Sequence, residues 1–365
     1  MNKTGTIILA IVIIILIALG IWYGVSKKPV SSPETKEPIK IGGIFALTGP
    51  LAGLGAQFKE GALFAIDEIN SKGGINGKMV NLILEDNQSD AKTAVSAFSK
   101  LADVEGIKFF LSFGSAISLA LKPLAEEKGV VLFADAAHPK LTENTRFTLR
   151  HSNIANSDAK VLVEEVKKKN PKNVGIIYIN DDWGLVFNQE LRRLLLDFNP
   201  TIQLTSESYL PTDTDFKTQL TKILVNKPNV VMIASFGQAC GLIIKQLKEL
   251  GYNGDIFVNI GFALTPDAQK IAGEAAKGIY YQTMESPISF ESAYVQKYGK
   301  KPGLFAAYVF TDLEILKYAI ERVGEDPEKV ANFVKSLGSF KGTYEEVEIT
   351  KEGDILINTV VKIWE

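Results

Sequence analysis

Four residues, Phe113-Gly114-Ser115-Ala116, join an apolar run to a helical pattern, and their chemistry suits the holding of an anion such as a carboxylate. The first backbone N–H groups of a helix have no partner within it, and the helix dipole places partial positive charge behind them. The competing reading is that Ser115 only caps its helix. Asp135-Ala136-Ala137-His138-Pro139 follows another apolar run, and there the Asp135 carboxylate either meets an amine or caps the turn. Asp181-Asp182-Trp183-Gly184 opens a further helical pattern. The Trp183 indole either forms a flat apolar wall or packs on its own domain. Ser235-Phe236-Gly237-Gln238 and Asn259 each follow the end of an apolar run, and with Phe262 they complete the candidates for a binding surface.

Chemistry beyond binding finds little support. Gly53-Leu54-Gly55 lies between a strand pattern and a helix pattern, but it reads GLGAQF and lacks the third glycine of a dinucleotide fingerprint. No P-loop, HExxH or GxSxG is present, and the single cysteine, Cys240, and the two histidines, His138 and His151, do not form a metal-type spacing. The residues therefore point to no enzyme, no metal and no organic cofactor. The formal charge is −2, and the longest basic run, Lys167-Lys168-Lys169, sits at a predicted helix end where cations suit the dipole, so nucleic acid is not an expected partner. One cysteine permits no internal disulfide and leaves the redox compartment open.

The elements that must position these residues alternate in type. Ile39–Ala46 reads as a buried strand, and Ala62, Leu63, Ile66 and Ile69 recur at helical spacing. Ser71-Lys72-Gly73-Gly74 stops that helix, and Met79–Asp86 reads as the next strand. Further strands are expected over Ile107–Leu111, Val130–Ala134, Val174–Ile179, Val230–Ala234 and Gly278–Gln282, with a helix over Ser115–Lys128. Tyr344–Ile349 and Ile355–Ile363 read as closing strands around a turn at 351–354. The 365 residues, 46% hydrophobic, exceed one typical domain, and both halves follow one β-α-β plan, which predicts two doubly wound α/β lobes. Such sheets bind ligands beyond the carboxyl ends of their strands.

The stretch FALTGPLAGLGAQFKEGALFAIDEINSKGGINGKMVNLILEDNQSD resembles the amino-terminal signature of the leucine/isoleucine/valine-binding protein family, and LKPLAEEKGV, NDDWG, PTDTDFKTQL and YGKKPGLFAAYVFTDLEILKYAI keep the same register. The resemblance covers residues 39–365. It implies a type I periplasmic-binding fold with a three-stranded hinge, no catalysis, and delivery of a small ligand to the permease and ATPase subunits of an ABC importer. It also implies a ligand carboxylate at Ser115 with the Gly114 and Ala116 backbone, backbone contacts at Asp135, and an aromatic wall at Trp183. Phe236, Gln238 and Asn259 would complete the pocket. Two departures stand out: Ala137 replaces the family's hydroxyl, and Ala239 replaces the glutamate that pairs with a ligand ammonium, next to Gln238. Leu111 stands where the family usually has glycine. Together these leave either an amino acid whose amine meets Asp135, or a ligand without an amine.

The resemblance and the hydropathy divide the chain as follows. Gly5–Val25 is 21 residues without a charge, long enough to cross a bilayer, and reads as an uncleaved transmembrane anchor or, second, a cleaved signal segment. Residues 26–38 are a proline-rich linker. Lobe 1 is expected over 39–152 and 262–340, and lobe 2 over 153–261 and 341–365. The soluble part is expected outside the cytoplasm, in the periplasm or at the cell surface. The alternative function is a ligand-sensing receptor ectodomain signalling through a membrane partner; the chain's end at Glu365 without a signalling domain favours transport.

Overall fold

The computed structural model describes Gly5, residues 11–19, 36–284, 287–357 and 359–365. Residues 38–365 form one unit, in which two six-stranded sheets face each other. The first sheet holds β1 (Ile39–Phe45), β2 (Val80–Asp86), β3 (Phe109–Phe113), β4 (Val131–Asp135), β5 (Thr148–His151) and β13 (Asp354–Ile355), in the order β2-β1-β3-β4-β5-β13 and all parallel. The second holds β6 (Asn173–Ile179), β7 (Gln203–Tyr209), β8 (Val230–Ala234), β9 (Asp255–Val258), β10 (Tyr280–Met284) and β14 (Thr359–Ile363), in the order β7-β6-β8-β9-β10-β14. There only β14 runs antiparallel to its neighbour. The two orders are the same, so each sheet reverses its strand sequence beside its first strand, where open α/β sheets gather ligands.

Helices follow the strands because their apolar residues recur at helical spacing. In α1 (Ala52–Ser71), Leu54, Phe58, Ala62, Ala65 and Ile69 are buried against the first sheet. In the second lobe, α5 (Asp182–Phe198) buries Trp183, Phe187, Leu191 and Leu195 in the same way. Two glycines set where these helices start. A Cβ on Gly55 would lie 1.9 Å from the Ala46 carbonyl oxygen, and one on Gly184 would lie 1.9 Å from that of Ile179. Each helix therefore turns directly over the end of its strand, and the Gly53-Leu54-Gly55 sequence is a packing device. Asp86 at the end of β2 holds the intervening loop, accepting hydrogen bonds from Leu47 N at 2.9 Å and Thr48 Oγ1 at 2.6 Å.

The strand boundaries move from those read in the sequence. The expected strand Ile107–Leu111 is paired over Phe109–Phe113, so Phe113 ends the strand that precedes Gly114. The expected closing strand Ile355–Ile363 is two strands: β13 pairs with β5 in the first sheet and β14 with β10 in the second. Phe340, Val347 and Ile349, near it, join the first lobe's core. Phe262 does not mark a crossing back to the first lobe either, because it is packed against Tyr281 and Trp364 in the core of the second. Sheet membership places the three passages between lobes after His151, after Met284 and between Ile355 and Thr359. This replaces the boundaries expected at 262 and 341: residues 262–284 lie with the second lobe and 341–355 with the first.

Of the uncharged Gly5–Val25 stretch, Gly5 and residues 11–19 are described, and 11–19 are helical. The rest of it and residues 26–35 of the linker lie outside the described residues. Among the described residues no helix is long and apolar enough to cross a membrane.

The two glycines of Gly53-Leu54-Gly55 give a direct test of this packing. Gly53 is exposed with open space around it, whereas Gly55 has the Ala46 carbonyl in the way. Gly53→Ala should be neutral or stabilising by up to ~1 kcal/mol, and Gly55→Ala should destabilise by roughly 1–3 kcal/mol or more. Urea titrations of the two variants against wild type check the contrast.

Candidate functional site

The carboxyl ends of β3, β4, β6, β8 and β9 converge on a cavity of about 80 Å³ between the lobes. Its first-lobe wall begins at Gly114, whose φ of +90° turns the chain from β3 into α3 (Ser115–Lys128). Gly114 N donates to the Asp135 carbonyl at 2.9 Å, which ties the ends of β3 and β4 together. Gly114 itself is the helix cap and has no side chain, so Ser115 does not serve as the cap. Ser115 is buried to 7% exposure, lines the cavity, and stands at the first helical position. The first backbone N–H groups of a helix start such as this have no partner within the helix and suit an anion. Ala116 follows in the same turn but does not line the cavity.

Asp135, at the end of β4, also lines the cavity. It is only 6% exposed and its Oδ2 has no hydrogen-bond partner among the described residues, so it does not cap the turn. Burial drives its pKa well above the ordinary carboxylate value; His151 works against that shift, while Asp312 and Asp158 add to it. Behind it His151 Nδ1 and Asp312 Oδ1 are 2.8 Å apart. Burial alone would lower the His151 pKa, but Asp312, with help from Glu345 and Asp135, raises it. Ala137 lines the cavity with no hydroxyl, and its carbonyl accepts from Ala155 N of the opposite lobe at 2.7 Å.

The second-lobe wall is aromatic. Trp183 stacks on Phe187 with ring centroids 4.7 Å apart and meets Phe236 edge-on at 4.6 Å. Both Trp183 and Phe236 line the cavity, so the two readings of the indole hold together: it is packed on its own lobe and it faces the cleft. Asp181 caps α5, accepting from Gly184 N at 2.7 Å, and burial raises its pKa to about 6. Phe113 and Phe305 continue the apolar lining on the first-lobe side. The lobes touch at the mouth: Gln57 Nε2 donates to the Leu264 carbonyl at 2.6 Å, and a Cβ on Gly237 would lie 3.0 Å from the Pro50 carbonyl oxygen.

Besides Ala116, three expected residues lie off the cavity. Asn259 is fully buried, and its Oδ1 accepts from Ser235 N at 2.9 Å, which pins the end of β8 to that of β9. It shapes the wall from behind. Gln238 is exposed, on the outer side of the helix that Phe236 caps. Phe262 belongs to the second-lobe core. Neither Gln238 nor its neighbour Ala239 lines the cavity.

Sequence reasoning missed Asp158, Ser152 and Phe305, all of which line the cavity. Asp158 lies in the first turn of α4 (Ala155–Lys167) and is 7% exposed. Its Oδ1 accepts from Gln282 Nε2 at 3.0 Å and from Asn153 Nδ2 and Thr359 Oγ1, each at 3.3 Å. Burial raises its pKa to about 6 against the pull of those donors. Three carboxylates thus line the cavity, with no Lys, Arg or His among its described lining residues.

The chain belongs to the periplasmic binding protein family, whose model matches residues 38–360. It is 30% identical over 338 residues to the Leu/Ile/Val-binding protein BraC3 of Rhizobium johnstonii, covering 89% of this chain and 90% of that one. The crystal structure of a leucine binding protein, LivK, from Thermotoga maritima superposes with a TM-score of 0.83 at 27% identity, over 90% of this chain and 95% of that one. The branched-chain amino acid transporter substrate binding protein LivJ of Streptococcus pneumoniae, solved in complex with isoleucine, shares the fold with a TM-score of 0.81 at 23% identity, over 90% and 97% of the two chains. Family membership makes this chain a solute-binding protein and not an enzyme, and it implies an extracytoplasmic location.

The Asp158 environment predicts a pH dependence. An aspartate whose folded pKa lies above its unfolded value binds its proton more tightly when folded, so stability falls as pH rises from 3.8 to about 6 and stays lower above that. Ligand-free Asp158→Asn should therefore exceed wild type in stability near neutral pH, by up to roughly 3 kcal/mol. The gap should close as pH falls through about 6. Urea titrations across that range check the sign; a gap that does not change with pH would contradict it.

Proposed function

We propose that this chain captures an amino acid with an apolar side chain in the cleft between its lobes and delivers it to an ABC importer. The observation that carries the reading is the arrangement of charge around the cavity. A helix start with Ser115 offers donors to a carboxylate, and three carboxylates, two of them buried, without a lining cation offer a place for an ammonium. Trp183, Phe236, Phe113 and Phe305 leave apolar surface for a side chain. The relatives that bear the names of leucine, isoleucine and valine binding support the side-chain class. A ligand touching both walls binds the closed arrangement better than an open one and shifts the lobes toward closure.

The departures at Ala137 and Ala239 do not argue against an amine on this reading. Ala239 lies off the cavity, and the acidic groups come from the ends of β4 and β6 and the start of α4 instead. Residues 5–25 hold the domain at the membrane as an uncleaved anchor on the same reading, since they carry no charge and no cysteine. Fractionation of native cells tests the anchor: the chain should sediment with membranes and keep its amino terminus, whereas mature soluble protein starting after residue 25 would show a cleaved signal.

Thermal-shift measurements test the ligand class, because a ligand that binds only the folded state raises its stability. Leucine, isoleucine or valine should raise the melting temperature of the full chain, and acidic and basic amino acids should not. A shift produced by organic acids without an amine, and by no amino acid, would overturn the reading. Ser115→Ala should weaken the binding of the responding amino acid about tenfold or more, since a hydrogen bond to a charged group contributes ~1.5–3 kcal/mol. Calorimetric titration of the variant reads that loss, and unchanged affinity would move the carboxylate elsewhere.

A further inference from the structure

Resting on the amino-acid reading above, we infer that Asp158 is the residue that receives the ligand ammonium, and that its other hydrogen bonds pass this contact to the hinge. Its three side-chain hydrogen bonds all end on Oδ1, and none involves Oδ2, although the residue lines the cavity. One donor lies in the first pass between lobes, and the other two stand on the strands that border the second and third. Asn153 lies in the first link. Gln282 stands on β10, which leads into the second, and Thr359 is the first residue after the third. Ile357 N of the third link donates to Asn153 Oδ1 of the first at 3.3 Å, and on the bordering strands Gln282 Nε2 donates to Thr359 Oγ1 at 2.9 Å.

Asp158 fits the role better than Asp135. Asp135 stands on the same lobe as Ser115, and its buried Oδ2 has no donor to hold a negative charge. Asp158 stands on the second lobe and has three donors that support its ionised form. A ligand held by Ser115 at one end and Asp158 at the other spans the cleft, so both lobes share its two charges. An ammonium beside Oδ2 favours the ionised carboxylate, strengthens the Oδ1 bonds to the links, and favours the closed hinge. The sequence signal for this residue is faint, because an aspartate in a first helical turn is the ordinary complement of the helix dipole.

The test compares leucine with its deamino analogue, 4-methylpentanoate, on the full chain. Asp158→Asn keeps the shape and an Oδ1 acceptor while removing the charge. It should cost leucine more than tenfold in affinity and leave the analogue within about threefold of wild type. Asp135→Asn should alter both probes by the same factor. Equal loss of both probes in Asp158→Asn, or a leucine-specific loss in Asp135→Asn instead, would overturn the assignment. Thr359→Val keeps the charge and cuts one link contact, so it should lower both affinities alike; a loss confined to leucine there would also count against the assignment. Wild type that binds only 4-methylpentanoate would reject the amino-acid reading itself, whereas wild type that binds leucine with no role for Asp158 would reject only this inference.

Discussion

Two parallel sheets of the same strand order aim their carboxyl ends at one another, and the chain crosses between them three times. That constraint fixes the rest. Most residues on the cavity wall stand at a strand end, a helix start or a link, where side chains from both lobes converge. Gly55 and Gly184, at equivalent junctions of the two lobes, let the following helices start directly over the strand ends. The resulting space is small, and that smallness removes the carboxylates from water.

The electrostatics of the cleft follow from the same geometry. Asp158 and Asp181 both titrate at about 6, and burial is the leading cause for each. Ionised carboxylates in a desolvated space are stabilised by hydrogen bonds or by a partner of opposite charge. Asp158 takes its hydrogen bonds from the links, and Asp181 from the helix it caps. Asp135 Oδ2 has no hydrogen-bond partner among the described residues, and burial raises the Asp135 pKa well above the ordinary carboxylate value despite His151. On the proposed reading a bound cation would offset the cost of burying these carboxylates, while the helix start at Ser115 suits the opposite charge on the first-lobe wall.

Much of the fold was legible because local patterns carry it. The helix Ser115–Lys128 and the strand Val230–Ala234 begin and end where glycine, charge and apolar run place them. The three links were less legible, since sheet membership is not a local property. Ile355, Ile357, Val361 and Ile363 continue one apolar alternation across a point where the chain leaves one sheet for the other. Phe262 looked like a cleft residue because it follows a strand end, yet tertiary packing turns it into the second-lobe core. Ser115, Asp135, Trp183 and Phe236, expected from strand ends and helix starts, do line the cavity. Asp158 was not expected, because its partners Gln282 and Thr359 lie 124 and 201 residues away in sequence.

The central claim is that a small ligand in this cleft draws the lobes together about the three links. Gly53 and Gln238 are exposed on opposite rims of the mouth, close to the Pro50–Gly237 contact, and the native Cys240 is buried. Spin labels on cysteines introduced at those two positions report the opening of the cleft in the full chain. Pulsed dipolar spectroscopy should show a broad distribution of distances without ligand and a shorter, narrower one with saturating leucine. A distribution that leucine leaves unchanged, while calorimetry shows it bound, would contradict the account.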